Sequence, residues 1–175
     1  APPPLSERTL PKTPPSVVSQ NNDYYLDNSG FVFEKDSGQK INPIPFPIKE
    51  ETGYELTNFD NFIFLKEVRD FYLSKSIGDF YLFNRDSRAF EKLFEGTKVL
   101  KVSPDKKILV EFTGTEIWIF FLEDSLEQPA RRAGEKQFLI RFSQTIGDVF
   151  WLNDNYLVFS TGGKIKIAEI DNRDK

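Results

Sequence analysis

The stretch Val99–Asp124, VLKVSPDKKILVEFTGTEIWIFFLED, constrains the fold more than any other part of this chain. It divides into three strand-like runs, Val99–Val102, Ile108–Phe112 and Ile117–Leu122. A Ser-Pro-Asp-Lys turn at Ser103–Lys106 and a Thr-Gly-Thr turn at Thr113–Thr115 join them. Short apolar runs separated by such residues predict consecutive hairpins. The third run is apolar on both faces. A strand with one wet face alternates apolar and polar residues, so Ile117–Leu122 requires cover on both sides.

Weaker versions of this unit precede and follow it. Tyr24–Leu26 and Phe31–Glu34 flank the turn Asp27–Gly30, where glycine makes a positive φ cheap. The run Ile41–Ile48, INPIPFPI, has three prolines at alternate positions and reads as an edge strand or a surface-hugging extended segment, because proline cannot donate to a ladder. Lys49–Gly53 reads as a charged loop. Strands are predicted at Phe62–Leu65, Phe71–Ser74, Phe80–Phe83 and Phe90–Phe94. After Asp124 a longer connection, Ser125–Gln137, leads to a fourth strand at Phe138–Phe142. The last unit is Val149–Leu152, Tyr156–Ser160 and Lys164–Ile170. No segment carries a helical apolar stripe, and Leu126–Gln137 holds at most one turn.

Four segments align as third strands of their units: Gly30–Asp36, Gly78–Asp86, Thr115–Asp124 and Gly163–Asp171. Each starts at a small or turn residue and ends at an acid, and they recur at roughly the 40–50 residue spacing of β-propeller blades. The expected architecture is all-β, with antiparallel four-stranded blades forming a partial β-propeller of three to four blades over residues 21–175. Residues 1–20 hold six of the eleven prolines and read as a Pro-rich linker or disordered tail, in which Val17 and Val18 are candidates for an irregular edge strand. Closed propellers take about four to eight blades, so the chain is not expected to be a lone closed ring. It is a piece of a longer propeller, it pairs with a second copy, or Ser16–Gln20 closes the last blade.

Composition excludes more chemistry than any motif establishes. With no Cys, Met or His, the chain can build no thiolate nucleophile, no Ser-His-Asp relay and no Cys/His zinc site. The net charge is −4 with both signs interspersed, and no basic cluster of the kind that grips nucleic acid is present. No apolar run reaches the ~20 residues of a membrane helix. The missing initiator Met and the Pro-rich start lead to the expectation of a processed or excised piece, any membrane anchor lying outside it. No calcium-loop pattern and no phosphate-cradling glycine motif occurs, so no metal and no cofactor is expected.

Three groups of residues could carry function. The end-of-strand acids Asp36, Asp86, Asp124 and Asp171 could meet at one propeller mouth, or serve only their own turns. The loop Pro129–Lys136, PARRAGEK, could present Arg131, Arg132 and Lys136 as binding residues to an acidic partner, with Glu127 and Glu135 neutralising them locally. Trp118 and Trp151 read as core, while Tyr24 and Tyr54 read as exposed rings able to stack on a sugar.

The order of strand, Ser-Pro-Asp turn, strand, Gly turn and Ile-Trp-Ile strand resembles the TolB-like and WD-type propellers of bacteria. Val99–Asp174 is most similar to the propeller region that follows PEGA-type segments in membrane-anchored envelope proteins. The resemblance rests on VSPDKKILVEF, EIWIFFLED, ARRAGEKQFLIRFS, DVFWL and GGKIKIAEIDNRD. Two departures stand out: Lys106 occupies the position where such turns carry Gly, and the last unit's turn is Leu152–Asn155. The resemblance implies a non-catalytic interaction scaffold of the bacterial envelope, binding a protein partner through blade loops or self-associating, with a cytoplasmic location as the alternative. The competing expectation is a polysaccharide-acting hydrolase or lyase with paired Asp/Glu.

Overall fold

The computed structural model describes residues 16–49, 53–59, 62–68, 78–97, 99–126 and 129–171. These are all-β, with no helix among them and hence none long and apolar enough to cross a membrane. Among the described residues fourteen strands form four antiparallel sheets, each a meander in chain order. The first sheet holds β1 (Val17–Gln20), β2 (Tyr24–Asp27) and β3 (Val32–Glu34). The second holds β4 (Gly53–Phe59), β5 (Phe62–Val68), β6 (Gly78–Asn84) and β7 (Ala89–Thr97). The third holds β8 (Val99–Val102), β9 (Ile108–Phe112), β10 (Glu116–Phe121) and β11 (Lys136–Arg141). The fourth holds β12 (Ile146–Asn153), β13 (Tyr156–Thr161) and β14 (Lys164–Glu169).

The sheets stack face to face in sequence order, and three hydrophobic clusters fill the seams. Leu26 and Val32 of the first sheet meet Tyr54, Leu56, Ile63 and Leu65 of the second. The second sheet's other face gives Phe64, Phe80 and Phe94 to a seam with Leu109, Phe120 and Leu122. The third sheet's other face gives Val110, Ile117, Ile119 and Leu139 to a seam with Val149, Leu157 and Phe159. Strand alternation explains this sorting: Ile63 and Leu65 point one way, Phe64 the other. The doubly apolar Ile117–Leu122 therefore has both its covers. At the seams β1 lies against β4, β7 against β9 and β8 against β12.

The four segments aligned as third strands are third in their sheets: β3, β6, β10 and β14. Two expectations change. Gly53–Phe59, whose first residue fell in the charged loop, is the first strand of the second sheet, and its Tyr54 and Leu56 are buried. Val17–Gln20 pairs with β2 in the first sheet and does not close the last one. The predicted strand Phe71–Ser74 lies outside the described residues.

The proline run replaces a fourth strand in the first sheet. Ile41 N donates to Val32 O, and Phe46 N to Gly30 O. Between those two bonds the prolines have no N–H to donate, and the side chain of the fully buried Asn42 bonds the chain from Gly30 to Val32. Its amide donates to Gly30 O and Ile44 O at 2.9 Å, and its Oδ1 accepts from Val32 N at 2.7 Å. Gly30 sits at φ 86°, where a Cβ would meet Phe46 O at 2.0 Å, so only glycine fits. Phe46 then plugs the first seam against Tyr54 and Tyr81.

Candidate functional site

The loop after β10 is fastened at both ends. Ser125 and Arg131 exchange two backbone hydrogen bonds of 2.9 Å, Gly134 N donates to Phe121 O, and Ala133 N donates to Asp124 Oδ1 at 2.7 Å. This pinned loop forms one wall of an open cleft of about 490 Å³ between the rims of the third and fourth sheets. Ile108, Phe121 and Ile170 supply an apolar floor. Around it stand six carboxylates, Asp105, Glu123, Asp124, Asp154, Glu169 and Asp171, against two cations, Lys107 and Arg131.

Local chemistry sets those positions. The Ser103 hydroxyl donates to Asp105 Oδ1 at 2.6 Å and accepts from Ile108 N at 3.0 Å, which closes the turn before β9. Asp105 N donates to Asp154 Oδ1 at 2.9 Å, tying that turn to the β12–β13 turn. Gln137 Nε2 donates to Ile170 O at 2.9 Å and ties β11 to the end of the fourth sheet. Most of the carboxylates are exposed, with Asp154 and Asp171 half-buried. Among the described residues, no three His, Cys, Asp or Glu side chains converge to hold a metal ion.

The three cations singled out in the sequence do not share a surface. Arg131 lines the cleft, paired with Glu135 at 2.9 Å and lying over the Phe121 ring. Lys136 pairs in register with Phe120 and so belongs to the sheet's opposite face, over the Phe94 and Trp118 rings at 4.5 and 4.7 Å. Arg132 is exposed between them. The end-of-strand acids divide as well. Asp124 and Asp171 line the one cleft, whereas Asp36 and Asp86 sit exposed in separate turns. Tyr54 is buried, its hydroxyl accepting from Lys49 N and donating to Pro47 O, so it is no stacking platform. Trp118 and Trp151 are half-buried; Trp151 donates to Lys101 O at 3.2 Å and packs into the last seam.

Sequence reasoning attended to acids in turns and passed over three inside strands. Glu67, Asp79 and Glu111 are each at most 3% exposed. Glu67 and Asp79 are cross-strand neighbours on β5 and β6; Lys92 donates to Asp79 at 2.9 Å, and Lys49 stands 3.8 Å from Glu67. Burial holds the Glu111 carboxyl above its usual range, opposed by the Thr97 hydroxyl bond at 2.9 Å and by Lys136 at 3.9 Å. The signal was present in ILVEF: Glu111 takes a core-facing place in a strand whose neighbours are all buried. Glu111 faces the second sheet, away from the cleft.

No protein-family model matches the chain, and no curated protein matches it significantly in sequence.

Proposed function

We propose that the chain is a non-catalytic, propeller-type interaction scaffold of the bacterial envelope, in which a rigid stack of sheets presents a docking cleft to a protein partner. The observation that carries the reading is the cleft itself: an apolar floor, a loop pinned by backbone hydrogen bonds, and six carboxylates against two cations. Such a rim suits a basic, extended segment of a partner, with charge steering the encounter and the floor taking an apolar side chain. Arg131, which lines the cleft and is held back against Glu135, favours an acidic residue flanking that segment. The blade reading draws on four consecutive meanders and on the resemblance of Val99–Asp174; the envelope placement draws on the resemblance alone.

The carboxylates shared by one cleft also raise the hydrolase reading. That reading needs one carboxyl kept protonated by an apolar pocket beside an ionised one. Glu111 is the carboxyl held high among the described residues, and it lies across the sheet from the cleft. Docking therefore accounts for the cleft better than catalysis.

A fluorescent Lys/Arg-rich peptide titrated against the chain tests this. Binding is expected, weakening steeply as salt rises above about 0.15 M, and Asp124→Asn/Asp154→Asn/Asp171→Asn is expected to bind roughly tenfold or more weakly. Equal binding by the triple variant, or none by the wild type, would overturn the assignment.

A further inference from the structure

The last sheet is apolar on the wrong side for a sheet that ends a stack. Its inner face buries Leu157 and Phe159. Its outer face carries a cross-strand row, Phe150 opposite Val158 opposite Ile167, with Ile165 alongside. Ile165 is 79% exposed, Ile167 62% and Phe150 54%. In β14 the register sets Lys164 and Lys166 beside the inner-facing Thr161 and Phe159, while both isoleucines point outward. A sheet with one wet face shows the opposite alternation. The double-sided pattern belongs to the second and third sheets, both of which are covered twice.

The first sheet carries a half-buried aromatic pair on its outer face. Its outer row runs Gln20, Tyr25, Phe33 and Lys40, with the Tyr25 and Phe33 rings stacked at 5.0 Å and 12°. Among the described residues no hydrophobic cluster joins the first sheet to the fourth, and the exposure of Ile165 and Ile167 means the same copy's first sheet does not cover them. Every seam inside the chain sets one sheet on the next in sequence order. The surface that continues this series from the fourth sheet is therefore another first sheet. Charge agrees: Lys40 ends the aromatic row, and Glu169 lies on the fourth sheet's outer face opposite Tyr156.

We propose that the outer face of the fourth sheet packs on the outer face of the first sheet of a second copy, and the reverse, so that two copies close a ring of eight sheets. This deepens the scaffold reading and rests on its blade stack. Eight lies within the range of about four to eight blades in closed propellers. A head-to-tail contact either closes or grows into a filament; closure at two copies leaves no apolar face open.

The chain has no cysteine, so Ile167→Cys and Tyr25→Cys each carry a single thiol. Oxidation of the mixed variants, one bearing a size tag, is expected to give the mixed disulfide, with neither variant cross-linking alone. Sedimentation equilibrium of the wild type is expected to read twice the 20.3 kDa chain mass. Ile165→Lys/Ile167→Lys is expected to read one chain mass with an unchanged far-ultraviolet spectrum. A disulfide in Ile167→Cys alone, a single-chain mass for the wild type, or masses that climb without limit would each overturn the ring. Should the double lysine variant fail to fold, the disulfide pattern still decides. A monomer that binds the basic peptide refutes the ring and leaves the docking reading standing; a dimer that binds no peptide does the reverse.

Discussion

Lys106 shows how one residue records a departure from an expected turn. It sits at φ 64°, donating its N–H to Ser103 O at 2.9 Å, in the place where related turns are expected to carry Gly. A side chain in this left-handed region costs roughly 1 kcal/mol. Lys106→Gly is therefore expected to raise stability by about 0.5–1 kcal/mol, read as a higher urea midpoint with an unchanged slope; a lower midpoint would contradict the turn geometry. Glu111 is a buried carboxyl through which pH acts on the fold. Its folded carboxyl is held above the unfolded value by burial, so the folded state binds the proton more tightly. No cost exists below the ordinary Glu value near 4.3. Stability falls as pH rises through the raised folded value, and the full penalty stands above it. Glu111→Gln, which keeps an acceptor for Thr97, is expected to flatten the fall in urea midpoint that sets in as pH rises above the ordinary Glu value, and to be about 1 kcal/mol more stable once that fall is complete. An unchanged slope would show that Glu111 is not the group responsible.

Among the elements, legibility followed hairpin chemistry. Val99–Val102 and Ile108–Phe112 were readable to the residue because Ser-Pro-Asp and Gly turns bracket apolar runs. Gly53–Phe59 was not, although Tyr54 and Leu56 alternate with Glu55 and Thr57. Its polar face and the charged run Lys49–Gly53 before it blur the strand signal and its start, and only pairing along the whole length of β5 makes it a strand. The proline run was readable as an extended segment, since three missing donors rule out a regular ladder. That Asn42 would stand in for those donors was not readable, because its partners Gly30 and Val32 lie ten and more residues away. The site was less legible still. Arg131 and Lys136 are five positions apart, and whether they face together depends on where the loop ends and β11 begins. The start of β11 at Lys136, in register with Phe120, sends them to opposite faces. The acidic cleft gathers turns from two sheets, so no local window of sequence contains it.

At the scale of the molecule, the chain is a series of sheets in which the central two hold neighbours by both faces. The proposed ring needs a second copy, and the proposed docking uses the rim between the third and fourth sheets. Both depend on the stack behaving as one body, and the seam between the second and third sheets is where that dependence is greatest. Phe120 is its pivot: it is buried, meets the Phe94 ring at 5.9 Å, and lies on β10 between residues that serve the opposite seam. Phe120→Ala should cost about 3–5 kcal/mol. Amide hydrogen exchange of this variant, read strand by strand, tests the continuous stack most directly. Protection is predicted to fall together in β5, β6, β9 and β10. Loss confined to the third and fourth sheets, with the second sheet as protected as in the wild type, would mean two separate bodies and would contradict the stack.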